Sequence, residues 1–138
     1  MIRSKDVNII SEAFKYCHKN KNAKGYTICA ILTKGKRIIS IAKNDYNKTH
    51  ARTPQIRHYI ILCHAEIKCI SRYIVKNRPI TSDMTLYVVG ITQGKEGNPV
   101  ISSKPCESCE RFIKTCGIPR VVYCENVTEF LIKEINNV

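Results

Sequence analysis

Val7, Ile10, Phe14 and Cys17 recur three and four positions apart with polar residues between them, the spacing of one helix face. This predicts an amphipathic helix over about residues 5–19, with Ser4 or Asp6 available as its cap. The polar stretch Lys19 to Gly25 reads as a loop, after which Tyr26 to Leu32 and Ile38 to Ala42 read as strands of a hairpin turning through Lys34-Gly35-Lys36. Asn44 to His58 has no period, contains Pro54 and is the size of a functional loop. From Cys63 to Lys76 the helical period returns, with Ile67, Ile70 and Ile74 inward, and it stops before Asn77-Arg78-Pro79. Leu86 to Val89 suits a short buried central strand. Gly90 to Lys104, with Gly94, Gly97 and Pro99, reads as a flexible connection carrying a strand extension at Val100-Ile101. Cys106 to Cys116 reads as a helix with Phe112 and Ile113 inward, closed by Gly117, and Val121 to Cys124 as a strand. Phe130 to Ile135 fits either a strand returning as a hairpin through Asn126 or a short helix, and the strand is the preferred reading.

This order of elements describes an α/β protein, a three-layer α/β/α sandwich around a mixed sheet of four to five strands. At 138 residues there is room for one such unit, so residues 1–138 are expected to form a single domain. The pattern shows no internal repeat and no low-complexity segment.

Composition narrows the class without naming it. With 43% apolar and 25% charged residues the chain is ordinary globular material, which sets general disorder aside. Met1 to Asp6 lacks the apolar core of a signal peptide, and the longest apolar stretch, around Tyr59 to Cys63, is far too short for a membrane span. A cytoplasmic location with no membrane partner is therefore expected. In that setting the eight cysteines are expected as thiols, with Cys17, Cys29, Cys63, Cys69, Cys116 and Cys124 serving as small core residues. The sequons at Asn47-Lys48-Thr49 and Asn126-Val127-Thr128 carry no meaning without secretion. A formal net charge of +12, from 23 Lys and Arg against 11 Asp and Glu, attracts phosphates or simply maintains solubility. It is spread over clusters such as Lys19/Lys21/Lys24, Lys34/Lys36/Arg37 and Arg72/Lys76/Arg78.

The chemistry is concentrated in two motifs, His64-Ala65-Glu66 and, after a long interval, Pro105-Cys106-Glu107-Ser108-Cys109. A catalytic zinc takes three protein ligands and keeps its fourth position for water, whereas a structural zinc closes all four. His64, Cys106 and Cys109 supply three, giving one Zn²⁺ per chain. Cys106 and Cys109 stand one helical turn apart, so a helix opened by Pro105 places both sulfurs on one face, and its N-terminus favours thiolates. Glu66 is left unligated beside the ion, where it can move protons. A lone CxxC or HxE is weak evidence; the compound pattern HxE then PCxxC is the signature of zinc nucleobase deaminases.

On these motifs, together with HAEIKCI (64–70), TLYVV (85–89), SKPCESC (103–109) and GIPRVVY (117–123), the chain resembles the cytidine/deoxycytidylate deaminase superfamily over about Tyr26 to Tyr123. The resemblance implies the same sandwich, in which members differ over whether the last two strands run parallel or antiparallel. It implies hydrolytic deamination of a cytosine nucleoside or nucleotide to the uracil product, with zinc-activated hydroxide as nucleophile and Glu66 as proton shuttle. Substrate contacts are expected from Asn44 after the second strand, from backbone groups at Ala65, and from the backbone around Ser103 and Lys104, where members hold the exocyclic amine. Similar enzymes are homo-oligomers, which is expected here too. Lys48, Thr49, His50 and Arg52 form a basic loop that either meets a substrate phosphate or is solvated. His50 or His58 acting as a fourth ligand would expel the water.

Two other readings follow from the same residues. The charge permits deamination of cytosine or adenine within single-stranded nucleic acid or tRNA, although 7% aromatic residues and no tryptophan leave few stacking platforms. A non-catalytic zinc-binding module is the alternative from another class, and an unligated acid at Glu66 argues against it.

Overall fold

The computed structural model describes residues 2–22, 25–44, 64–92, 100–125 and 132–137. In chain order these residues form α1 (Ser4–Lys19), β1 (Tyr26–Lys34), β2 (Arg37–Lys43), α2 (Ala65–Ile74), β3 (Met84–Thr92), α3 (Glu107–Cys116), β4 (Arg120–Cys124) and β5 (Ile132–Asn136). The sheet runs β2-β1-β3-β4-β5, and it is mixed: β3 and β4 are parallel, and the other neighbours are antiparallel. The β3–β4 pair is parallel because α3 carries the chain back across a face of the sheet, the connection that parallel strands require.

Alternation along the strands builds two cores. Ala30, Leu32, Leu86, Val88, Val121 and Tyr123 face α2 and α3, whereas Cys29, Ile31, Tyr87, Val89, Ile91, Val122 and Cys124 face α1. The period of two thus separates the three layers of the expected sandwich. Strand β3 is the centre of the sheet and is buried from Met84 to Ile91.

Several boundaries and faces differ from those read in the sequence. Strand β3 continues through Gly90 to Thr92 instead of ending at Val89. Gly90 belongs inside it because Ile101 crosses there, donating its N–H to the Gly90 carbonyl at 3.0 Å, and a Cβ on Gly90 would stand 2.6 Å from Ile28 Cδ1. Val100 pairs with Ile91, so the strand extension read at Val100-Ile101 is an isolated bridge. Ile74 points outward at 37% exposure, and Tyr73 takes the inward place. Val7 is likewise outside at 48% exposure, displaced by the fully buried Asp6. The final segment is a strand, antiparallel to β4. Cys106, not Pro105, begins α3 as its N-cap, and Gly117 closes that helix with φ 84°, a left-handed conformation that suits glycine. Of the expected core thiols Cys17, Cys29, Cys69 and Cys124 are buried and Cys116 is half-buried, and none of these five is in a disulfide. Cys63, the loop residues Lys48, Thr49, His50, Arg52, Pro54 and His58, and both sequon asparagines, Asn47 and Asn126, lie outside the described residues. Among the described residues no helix is long and apolar enough to cross a membrane.

Asp6 is inside because it ties α1 to the sheet. Its carboxylate accepts from the Arg3 backbone N–H at 2.8 Å, which caps α1 from the third helical position, and from Tyr87 Oη at 2.5 Å. Arg120 grips it in bidentate fashion at 2.8 and 2.9 Å and reaches Glu134 at 2.6 Å with Nε. Burial opposes charge on Asp6, but the hydrogen bonds from Arg120, Tyr87 and Arg3 together outweigh it and hold the carboxyl well below the usual carboxylate range. A carboxyl lowered in the folded state stabilises above its unfolded pKa of about 3.9, and that stability is lost as pH falls. Asp6→Asn should therefore cost about 1.5–3 kcal/mol at neutral pH, the worth of hydrogen bonds to a charged group. The deficit should shrink as pH falls below about 4, which chemical denaturation at a series of pH values would show.

Candidate active site and its metal centre

Helix α2 runs antiparallel to β2. Ser40 in mid-strand donates to the Cys69 carbonyl at 2.7 Å, and the long side chain of Arg72 reaches back along the strand to the Ile41 carbonyl at 2.8 Å. Tyr73, at the far end of the helix, lines a hollow with Lys34 and Arg37 beside the β-hairpin turn. The opposite, N-terminal end of α2 therefore lies toward Lys43 and Asn44, at the pole of the sheet where β3 and β4 end. Helix α3 begins at that same pole: Ser103, just before it, donates through Oγ to the Val88 carbonyl at 2.7 Å and accepts from the Cys124 N–H at 3.0 Å. Two helices thus start side by side at the carboxyl ends of parallel strands, the usual place for a site in an open α/β sheet.

His64 is the N-cap of α2 and Cys106 the N-cap of α3. Cys109 follows in the first turn of α3 and is fully buried, whereas Cys106 is exposed. The ligand atoms of His64, Cys106 and Cys109 all lie within 4.8 Å of one another. Nδ1 of His64 stands 2.9 Å from Cys109 Sγ and 3.6 Å from Cys106 Sγ. Tetrahedral zinc with bonds of ~2.0 Å to nitrogen and ~2.3 Å to sulfur sets its ligands roughly 3.5–3.8 Å apart, so the donors stand near the spacing that one ion needs.

The electrostatics of the donors fit a cation as well. Burial lowers the His64 pKa and keeps its ring neutral, the form that ligates. Burial pushes the Cys109 thiol far up, and the charges of Glu66 and Cys106 push it in the same direction. Three potential anions, those of Glu66 and Cys109 buried and that of Cys106 at the surface, crowd together, and a divalent ion would relieve that repulsion by holding the sulfurs as thiolates. The two helix N-termini favour the same thiolates.

Glu66 sits in the first turn of α2, is 6% exposed, and lies against the Cys109 thiol. Burial pushes its carboxyl up; its own backbone N–H and the Cys109 thiol act in the opposite sense and are outweighed. A buried acid thus stands beside three atoms that could hold a metal ion and is not one of them.

The other residues read from the sequence are placed unequally. Asn44 lies at the same pole of the sheet. Its N–H donates to the Ile28 carbonyl at 2.8 Å and its Oδ1 accepts from the Ile28 N–H at 2.8 Å, so the side chain extends the strand ladder by one rung. Among the described residues its amide nitrogen makes one contact, with the Tyr26 carbonyl at 3.4 Å. Ala65 turns its methyl group into the core and lies in the first turn of α2, where backbone N–H groups lack helical partners. Lys104 is exposed. Ser103 is buried with its side chain occupied between β3 and β4 and its N–H donated to the Cys124 carbonyl at 2.8 Å. Ser103→Ala should therefore cost about 1–3 kcal/mol by stranding the Cys124 N–H and Val88 carbonyl, with zinc content unchanged. Denaturant unfolding with metal analysis checks both halves.

Sequence reasoning missed Asn22, which donates to Asn44 Oδ1 at 3.1 Å and to the Tyr26 carbonyl at 3.3 Å. No local signal marks it, since its partner is 22 residues away.

A mixed sheet with two helix starts meeting over a His/Cys/Cys set, and an acid held beside that set, defines the class as a zinc-dependent hydrolytic deaminase. The chain belongs to the cytidine and deoxycytidylate deaminase family: the sequence model of that family's zinc-binding region matches residues 3–125. The fold is similar to that of cytidine deaminase from Burkholderia pseudomallei, with a TM-score of 0.60 at 18% identity over 95% of this chain and 91% of that one. Among curated proteins no sequence matches the chain.

Proposed function

We propose that the protein deaminates a free cytosine nucleoside or nucleotide, of the cytidine or deoxycytidylate type, to the corresponding uracil compound. The observation that carries this reading is Glu66, an acid buried against Cys109 in the first turn of the helix that His64 caps. His64, Cys106 and Cys109 hold the zinc in this reading. Bound zinc supplies a water acidic enough to act as a nucleophile near neutral pH.

The remaining work falls to the chain. Glu66 accepts the proton that the attacking water gives up and delivers it to the ring nitrogen, so the aromatic amidine becomes a tetrahedral centre. It then takes a second proton from the newly added hydroxyl and gives it to the amino group, which leaves as ammonia while the carbonyl forms. The balance is water plus cytosine giving uracil plus ammonia, and the carboxyl ends in its starting state. Burial serves both halves, because it raises the proton affinity of Glu66 and keeps bulk water from competing for those protons. Asn44, held rigid by Ile28 and Asn22, offers its amide nitrogen to the sugar, and backbone groups at Ala65 and around Ser103 and Lys104 orient the base.

The test is a panel of cytidine, deoxycytidine, their monophosphates, adenosine and guanine, read by ammonia release and by ultraviolet difference. The reading expects turnover confined to one or two of the cytosine compounds. Turnover of a purine alone, or of cytosine only within an oligonucleotide, would overturn it.

A further inference from the structure

At the end of the sheet opposite the metal-binding cluster, a hollow of about 450 Å³ is lined by Lys34, Arg37, Ile38, Ile39, Tyr73 and Arg78. Three cations surround it, and its walls bring each of them there for a separate reason. Lys34 and Arg37 are register partners across the hairpin, so their side chains leave the same face of the β1–β2 ribbon. Arg78 comes from the segment after α2. Asn77 turns the chain there with φ 57°, Tyr73 Oη donates to the Pro79 carbonyl at 2.8 Å, and the Arg78 guanidinium lies over the Tyr73 ring at 5.8 Å. Tyr73 itself is buried, so it serves as a fixed platform for that arginine.

Among the described residues none of these three cations forms an ion pair. The Asp83 carboxyl is lowered first by the Thr81 hydroxyl and also by the charge of Lys34. Lys36 and Lys76 extend the positive surface on either side, and both are exposed. Ile38, Ile74 and Val75 add exposed aliphatic surface next to it, at 39%, 37% and 74%. Three cations that are unpaired among the described residues, set around one hollow beside exposed aliphatic side chains, match a ligand that offers phosphate charge together with partly exposed bases.

We propose that this face binds the phosphodiester backbone of single-stranded nucleic acid, at a site separate from the metal centre by the length of α2, roughly 15 Å at ~1.5 Å per residue. The cations fix the backbone, and the aliphatic side chains make contacts with bases that do not depend on sequence. Such binding releases counterions, about 0.7 per phosphate neutralised on a single strand. Three cations give a slope of roughly −2 in log K against log salt, or about a 20-fold loss of affinity between 50 and 200 mM salt.

Fluorescence anisotropy of a labelled twelve-nucleotide single strand tests this, with the zinc-loaded protein and its Lys34→Ala/Arg37→Ala/Arg78→Ala variant. All three side chains lie at the surface or half-buried, and circular dichroism and zinc content check that the variant is folded. The expected result is salt-dependent binding by the wild type, a slope reduced by about 2 in the triple variant, and retention of binding in Lys34→Arg/Arg37→Lys. No binding by the wild type, or an unchanged slope in the triple variant, would overturn the proposal. Displacement of the strand by a modest excess of ATP would do so too, by showing that a mononucleotide is the ligand.

Discussion

Glu66→Gln should leave one zinc per chain in place and lower the rate of ammonia release by about 10²- to 10⁴-fold, the range that a positioned proton carrier contributes. The substitution is nearly isosteric, so the packing around a side chain that is 6% exposed is kept. What it removes is the ability to accept a proton and give it back. The amide can still hydrogen-bond a bound water, so substrate affinity should change far less than turnover. That split between KM and kcat is the signature of a group acting in the transition state. Metal analysis and initial rates on the best monomeric substrate check it. An unchanged rate would remove Glu66 from the mechanism, and loss of the zinc would show it to be a ligand.

The second large effect is expected at Cys109. Cys109→Ala deletes the one sulfur of the cluster that is fully buried and that stands 2.9 Å from His64 Nδ1. Two donors are too few to retain zinc against dilution, so the purified variant should contain almost none and should release no ammonia. Stability should report the same loss. A ligand bound only to the folded state adds about 4 kcal/mol at a thousandfold excess over its Kd, so chelator should lower the Tm of the wild type and leave that of the variant unmoved. A variant that keeps a full equivalent of zinc would place the metal elsewhere.

The features that carry these two expectations were readable early, because their signals are local. HAE and PCESC each place chemically matched residues within one helical turn, and α2 and α3 begin where those motifs lie. The alternation in β1 and β4 and the period of α1 are local signals of the same kind. What could not be read depends on partners far along the chain. Asp6 looks like a surface residue, and its burial follows from Tyr87 and Arg120, 81 and 114 residues away. Once it turns inward, Val7 must turn out. Gly90 reads as the end of a strand because glycine usually ends one, yet here the close crossing of Ile101 demands it inside β3. Tyr73 displaces Ile74 from the inward face because it holds Pro79 and Arg78, residues beyond the helix. The strand contacts that occupy the side chains of Ser103 and Asn44 could not be read either, because their partners too stand well away along the chain.

The most direct measurement on the central claim is zinc-edge X-ray absorption of the purified protein, which counts the atoms bound to the metal by type. Expected is a four-atom shell of two sulfurs, one imidazole nitrogen and one light atom from solvent. A shell of four protein ligands, with a third sulfur or a second imidazole in the solvent position, would contradict the deaminase reading at its root.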